Sequence, residues 1–393
     1  MPGPVDPFAP ARLGPITLRN RIIKAATFEG MTPRRVVTDD LMAFHRRVAA
    51  GGAGMSTVAF CTASPDGGTD GHQLVLQDDA VPGLRRLTEA IHADGAAASV
   101  QIGHAGPVAN PAGTKHPALA PTRRPTPWMR MTRAATEEDL ARVTEDFARG
   151  ARVAVEAGFD AIEVHLGHHY LPSSFLSPKL NHRRDRWGGS LDNRARFPRQ
   201  VLRAVRDAAG GGVAVTAKLN MTDGVRGGLE PEESMAVARL IEGDGTLDAL
   251  ALTGGSSLAN PMSLFRGDAP VREFAATLPP MLRIGFKIAG RRFLKEYPFE
   301  EAYFLPLARR FREALEMPLI LLGGINRLDT IHDALGEGFS FVAMARALLR
   351  EPDLVHRMQS GASTQATCIH CNKCMPTIYR GTHCAIDAPA GSR

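Results

Sequence analysis

Short apolar runs rich in Val, Ile and Ala recur along the chain, each followed by a longer segment in which apolar residues return every three or four positions. The runs at 22–26, 54–60, 97–102, 161–165, 213–219, 249–253, 319–322 and 339–343 predict eight strands. Helical signals fall between them. Thr38-Asp39-Asp40 opens a helix through Ala50 with an N-cap and an acidic first turn, and Gly51-Gly52 closes it. Thr136-Glu137-Glu138-Asp139 is a capping-box start for a helix ending at Ala157-Gly158. Further helices are predicted over about 82–93, 193–208, 231–242, 300–315, 327–335 and 353–359. Uninterrupted apolar strands are buried on both faces, and their alternation with helices implies a parallel sheet. Eight of each is the number that closes an α/β (βα)8 TIM barrel. A doubly wound sheet needs a GxGxxG turn after an early strand, and none occurs in that context.

Two connections are long: Gly103 to Ala135 after the third strand and Gly254 to Pro298 after the sixth. Both leave the carboxyl ends of strands, the face on which barrel enzymes build their sites, so they read as lids or walls. The second contains LPPMLRIGFKIAGRRFLKEY, a basic and apolar stretch expected to form a lid helix or a homo-oligomer contact rather than a membrane anchor.

The chain has 393 residues, and 47 Lys+Arg against 41 Asp+Glu leave a net charge of +6. The arginines are scattered, which speaks for a local anion site and against a nucleic-acid partner. No window approaches eighteen uninterrupted apolar residues, and MPGPVDPFAPARLG lacks the basic and apolar pattern of a secretion signal, so a cytoplasmic protein with no membrane partner is expected. Of the five cysteines Cys61 stands apart, whereas Cys368, Cys371, Cys374 and Cys384 crowd the C-terminal end, a pattern that suggests metal or iron–sulfur ligation before disulfides. The expected organisation is a barrel over 1–360 and a short Cys-rich extension over 361–393, whose last residues, 388–393, are expected to be mobile.

After the fourth strand, EVHLGHHYLPSSFLSP gathers His165, His168, His169 and Tyr170 at the barrel mouth. Zinc would need more ligands from neighbouring strand ends, and strands five to eight supply no His or acid there. The alternatives are structural histidines in a hydrogen-bonded loop, or two imidazole donors on a carbonyl oxygen with a tyrosine proton donor beside them. Gln101 ends the third strand in SVQIGHAGP, followed by His104, and its amide suits the edge of a heterocycle that both donates and accepts. Lys218, ending the fifth strand, can form a Schiff base, pair with a carboxylate or stabilise an anionic ring. Gly323-Gly324 after the seventh strand and Ala345-Arg346 after the eighth lie where barrels bind phosphate groups.

LGPITLRNRIIKAATFEGMT, SVQIGHAGP, the block EVHLGHHYLPSSFLSPKLNHRRDRWGGSLDNRARFPRQV, LLGGIN and VAMARALLREPDLV together resemble the Old Yellow Enzyme family of NADH:flavin oxidoreductases, in the right order from about Leu13 to Val355. The resemblance implies non-covalent FMN on the carboxyl face of the barrel, reduced by NAD(P)H and passing hydride to an electron-poor alkene. It assigns His165 and His168 to the substrate's activating oxygen and Tyr170 to proton donation. It places Gln101 on the flavin pyrimidine, Lys218 beside N1 and O2, Gly324, Ala345 and Arg346 on the phosphate, and Ala26 and Thr27 along the ring. Four departures stand out: His169 replaces a glycine, Trp187 replaces the customary aromatic before GGS, Phe28 stands where many members keep a polar side chain, and the alanines of AMAR replace glycines, which requires negative φ there.

The sequence CIHCNKCMPTIYRGTHC resembles the iron–sulfur segment of the dienoyl-CoA reductase and trimethylamine dehydrogenase branch. That resemblance implies a [4Fe–4S] cluster on Cys368, Cys371, Cys374 and Cys384, with zinc and unligated thiols as the alternatives. The expected activity is ene-reductase-type reduction of a small α,β-unsaturated carbonyl compound. The alternatives are an iron–sulfur dienoyl-CoA reductase-like or amine dehydrogenase-like enzyme, and a Schiff-base aldolase on Lys218.

Overall fold

The computed structural model describes residues 5–70, 72–126 and 130–387, and the tail 388–393 lies outside them. Eight of its strands close a parallel barrel: β1 (Ile22–Lys24), β2 (Met55–Thr62), β3 (Ala97–Gly103), β4 (Ala161–Leu166), β5 (Ala214–Asn220), β6 (Ala249–Thr253), β7 (Leu319–Leu322) and β8 (Phe341–Met344). Each strand pairs with its sequence neighbour, and β8 closes on β1 through Val342 opposite Ile22 and Met344 opposite Lys24. Every residue of β2, β4, β5, β6, β7 and β8 is buried, as the lack of polar alternation requires.

The helices between strands are α1 (Asp39–Ala50), α2 (Val81–Ala93), α3 (Glu137–Glu156), α4 (Leu191–Ala209), α5 (Pro231–Asp244), α6 (Leu305–Ala314) and α7 (Leu328–Gly336), with α8 (Leu354–Gln359) following β8. Both sequence caps form: Thr38 Oγ1 accepts from the Leu41 N–H, and Thr136 and Asp139 complete a reciprocal capping box. The sequence places the start of α6 at 300, but the helix begins at Leu305. Ala302 adopts φ +49, and the Glu301 carboxylate turns away to accept the backbone N–H groups of Asn326 and Arg327. The connection after β6 carries two short helices, Val271–Thr277 and Pro280–Ala289, and on the latter Met281 and Ile288 stand exposed to solvent. No helix of the described residues is long and apolar enough to cross a membrane.

A buried polar cluster fixes the loop after β1. The register of β2 against β3 shifts between Val58 and Cys61, and the Ala59 N–H inside that irregularity donates to the Glu29 carboxylate at 3.0 and 3.1 Å. Lys24 Nζ pairs with the same carboxylate at 3.1 Å and donates to the Thr57 carbonyl, while His45 approaches Glu29 at 3.4 Å. Burial lowers the pKa of both Lys24 and His45 against the pull of Glu29.

The Cys-rich segment is packed down rather than trailing. Ala366 N–H donates to the Asn326 carbonyl after β7, and further on Thr382 donates through its N–H and its hydroxyl to the Glu29 and Phe28 carbonyls after β1. It therefore runs as a strap over the carboxyl face of the barrel.

Removing Glu29 leaves Lys24 buried without its counter-ion. Glu29→Ala is expected to lower the unfolding free energy by about 3–5 kcal/mol in chemical denaturation, and a loss below about 1 kcal/mol would contradict the anchoring role.

Candidate active site

The mouth of the barrel is built on the exit of β4. His165 lies opposite Lys218 in register, and the chain then turns through His168 and His169, both in the left-handed region at φ +60 and +65. Asn220 Oδ1 accepts the His168 N–H at 3.1 Å, and Tyr170 caps the short helix Leu171–Leu176. The turn thus sets three candidate groups side by side. His168 Nδ1 lies 3.2 Å from His165 Nε2, and His168 Nε2 lies 3.1 Å from Thr253 Oγ1 at the end of β6. The Tyr170 ring packs 4.5 Å from His165 and 5.0 Å from Phe60, which in turn meets Phe28 at 6.4 Å. Burial drives the pKa of His165 well below its ordinary value and that of His168 down to about 3, with Lys218 and the neighbouring imidazoles adding to the effect. Both rings are neutral at physiological pH. The sequence pictured two imidazole donors presented together to one oxygen. In the structure the two rings lie within hydrogen-bond distance of each other, and His165 Nδ1 is buried with no hydrogen-bond partner.

His169 shows why a residue with a Cβ occupies a left-handed position. Its ring is fully buried, with Nδ1 2.6 Å from Ser256 Oγ and Nε2 2.8 Å from Asp223 Oδ2. Asp223 also accepts from Ser177 Oγ and the Leu229 N–H. Burial opposes ionisation of Asp223, but the His169 contact and these donors outweigh it and hold the carboxyl below its ordinary value. The side-chain bonds offset the backbone strain, which is of order 1–3 kcal/mol.

Across the mouth, β3, β4 and β5 bring Gln101, Glu163 and Lys218 together. Gln101 Nε2 donates to Glu163 Oε1 at 2.7 Å, and Lys218 Nζ pairs with the same oxygen at 3.1 Å. Glu163 was not among the residues singled out from sequence. The signal was present, a lone acid in an apolar strand, since a buried carboxylate needs a partner. His104 is buried beside Asp66, at 3.7 Å. On the first loop Ala26 and Thr27 are half-buried, and Thr27 Oγ1 has no hydrogen-bond partner.

At the opposite edge, Gly323 and Gly324 take φ +107 and +77, and a Cβ on either would strike the rings of Phe304 or Tyr303. The aromatic packing and the left-handed backbone therefore both require glycine there. Ala345 keeps φ −113, so the alanines of AMAR meet the condition that the sequence set. Arg346 Nη1 donates to the Arg266 carbonyl at 2.9 Å and to Asn372 Oδ1. Among the buried polar atoms of the described residues that lack a hydrogen-bond partner are Thr27 Oγ1, His165 Nδ1 and Arg266 Nε, on the loops after β1 and β6 and at the end of β4. Unpartnered groups on several loops of one face, an amide and an ammonium between them, and an arginine beside a glycine pair form a donor set that fits a flavin mononucleotide.

Cys368, Cys371, Cys374 and Cys384 are free thiols and all line one cavity together with Arg346, Arg350 and His370. Burial raises the pKa of Cys368 and Cys384 and pushes Cys374 up to about 12. Among the described residues no three His, Cys, Asp or Glu side chains converge on a single ion. Four thiols around one cavity still fit a multi-iron cluster, which spreads its sulfur ligands over several metal atoms.

The family model for NADH:flavin oxidoreductase / NADH oxidase matches residues 6–252. Over 380 residues the chain is 60% identical to a 4,4'-dithiodibutanoate disulfide reductase of Rhodococcus erythropolis, covering 96% of this chain and 94% of that protein. It is 29% identical to a multifunctional alkene reductase/demethylase of Caballeronia cordobensis, covering 99% of this chain but 55% of that one. An Old Yellow Enzyme homologue from Zymomonas mobilis superposes with a TM-score of 0.73 at 22% identity, over 93% of this chain and 96% of the other, a likeness of fold.

His168, with its pKa near 3 in the fold against 6.5 when exposed, binds a proton more readily in the unfolded chain between those values. Its contribution to stability is therefore full above about pH 6.5 and is lost as pH falls toward 3. The unfolding free energy is expected to decline on acidification from pH 6.5 to 4, and His168→Asn is expected to flatten that slope. An unchanged slope in the variant would contradict the buried neutral ring.

Proposed function

The chain belongs to the NADH:flavin oxidoreductase / NADH oxidase family, and on that premise we propose that it is an FMN enzyme that takes electrons from NAD(P)H and reduces a small organic disulfide to two thiols. The observation that carries this reading is the 60% identity, over nearly the whole of both chains, to a disulfide reductase. In this reading Ala26 and Thr27 line the flavin ring, Gln101 and Lys218 bond its pyrimidine edge, and Gly324, Ala345 and Arg346 hold its phosphate. The barrel occupies 1–360 and the Cys-rich extension 361–393.

Bound FMN would supply the hydride equivalent, and the chain's own residues do the rest. Cleaving R–S–S–R with one hydride equivalent, two electrons and a proton, gives one thiol and one thiolate, and the thiolate needs a second proton. Tyr170, packed against His165, is the donor. Neutral imidazoles each carry one N–H. In the tautomer in which Thr253 donates to His168 Nε2 and His168 Nδ1–H donates to His165 Nε2, the remaining proton sits on His165 Nδ1, the unpartnered atom. That N–H orients a sulfur or oxygen acceptor of the substrate without bringing a charge into the site. Phe28 and Phe60 keep water from the reacting bond.

A second reading, reduction of an electron-poor alkene, is favoured by the same Tyr170 and His165 pair and by the likeness to the alkene reductase/demethylase. There the tyrosine proton goes to the α-carbon of an enone. For the C-terminal thiols we propose a [4Fe–4S] cluster, supported by four cysteines on one cavity. Ligation replaces the proton that Cys368, Cys374 and Cys384, whose pKa values burial raises, otherwise keep.

Anaerobic stopped-flow spectra separate these readings. The flavin, once reduced by NADH or NADPH, is expected to be reoxidised faster by an aliphatic dicarboxylate disulfide than by any of a panel of enones, and the reverse order would favour the alkene reading. Tyr170→Phe is expected to spare flavin reduction and to slow reoxidation by about 10²–10⁴-fold, the usual contribution of a positioned proton donor. Equal loss in both half-reactions would remove Tyr170 from the proton-donor role. Anaerobically purified protein is expected to contain iron and acid-labile sulfide in equal amounts, whereas zinc or metal-free thiols would refute the cluster.

A further inference from the structure

We propose that Arg266 is a second phosphate-binding guanidinium, which together with Arg346 makes a two-arginine clamp for the terminal phosphate of the flavin nucleotide. The proposal rests on the FMN reading above and adds a residue from a loop that the sequence motifs do not reach.

Arg266 sits in the connection after β6, and its backbone is held from all sides. Its carbonyl accepts from Arg346 Nη1 at 2.9 Å. Asn372, itself fully buried, donates from Nδ2 to the carbonyls on either flank, Phe265 at 2.5 Å and Asp268 at 3.0 Å. The Gly267 N–H donates to the Tyr297 carbonyl at 2.8 Å, and the Asp268 N–H donates to the His370 carbonyl at 3.1 Å. At Gly267, with φ +130, a Cβ would lie 2.0 Å from the His370 carbonyl oxygen, so the strap and this loop are pressed together backbone to backbone.

The side chain on this fixed backbone is left incomplete. Arg266 Nε is buried and has no hydrogen-bond partner. Among the described residues the carboxylate that pairs with Arg266 is Glu300, at 3.8 Å and largely exposed, and no carboxylate pairs with Arg346. The Arg266 guanidinium lies over the ring of Tyr303 at 5.0 Å, and both Arg266 and Arg346 act on the Tyr303 hydroxyl, whose pKa burial raises against their pull. Tyr303 also packs against Gly324. Arg266 after β6, the glycine pair after β7 and Arg346 after β8 therefore meet around one ring.

Two guanidiniums gathered at one buried ring repel each other unless an anion lies between them, and a buried donor left unpaired costs free energy until a ligand satisfies it. A phosphate monoester carries close to two negative charges at neutral pH and three acceptor oxygens, which matches two guanidiniums in number and in geometry. A single arginine leaves one of those charges unmatched.

The test compares FMN with riboflavin, which has the same ring and lacks the phosphate. Apoprotein of the full chain is titrated with each flavin, following quenching of flavin fluorescence, for the wild type, Arg266→Gln and Arg266→Lys. Arg266→Gln is expected to weaken FMN binding by about tenfold to a hundredfold, the span of a charge-assisted hydrogen bond, and to leave riboflavin binding within about twofold. Arg266→Lys is expected to fall between, because it keeps the charge and loses the fork. If Arg266→Gln weakens both flavins equally, Arg266 shapes the loop and does not touch the phosphate, and the proposal is overturned. Unchanged FMN affinity also overturns it. Wild-type protein that binds neither flavin defeats the FMN reading itself, a result distinct from both.

Discussion

Closure of β8 onto β1, residue against residue from Val342 opposite Ile22 to Met344 opposite Lys24, is the constraint on which the other distances depend. It makes neighbours of the first and last loops of the carboxyl face. Arg346 and Ala345 leave one strand of that seam, and Ala26, Thr27 and Phe28 leave the other. With the seam closed, the loops after β6, β7 and β8 form one side of the mouth, and the imidazole–tyrosine turn after β4 faces them. Parallel strands feed every loop to the same end, so groups far apart in the chain meet without any specific long-range attraction.

Onto this ring the protein places two kinds of polar group. One kind is satisfied within the chain: Glu163 by Gln101 and Lys218, Asp223 by His169 and Ser177, Glu29 by Lys24 and Ala59. These fix side chains before any ligand arrives, which lowers the ordering cost of binding. The other kind is left open, Thr27, His165 and Arg266 among them. Buried groups left open at the mouth suit a binding site, because free energy withheld at those points is recovered when a ligand satisfies them.

The strands and caps were legible from the sequence because each depends on neighbours a few residues away: an apolar run, a Thr-x-x-Asp box, a Gly pair. The cluster of His165, His168 and Tyr170 was legible for the same reason, being a single turn of chain. Glu163, Glu29, Arg266 and Asn372 were not, because each acquires its role from a partner on another loop. A lone arginine in LFRGDAP carries no periodicity, and only the folded backbone shows that its flanking carbonyls are taken by an asparagine more than a hundred positions away. The two histidines show the limit even of local reading. Their spacing placed them together, but whether they face a ligand or each other depends on the φ +60 and +65 of the turn and on Thr253 from β6. The same torsion at His169, where the resemblance called for glycine, is carried by Asp223 and Ser256, from the loops after β5 and β6.

The strap has a consequence in time. Residues 366–382 follow all eight barrel strands in the chain, and they tie the loop after β1 to the loops after β6, β7 and β8. A nascent barrel can pair all eight strands while the loops of its mouth are still untethered. Completion of the mouth therefore requires the docking of Asn372 and Thr382 as well as closure of the sheet.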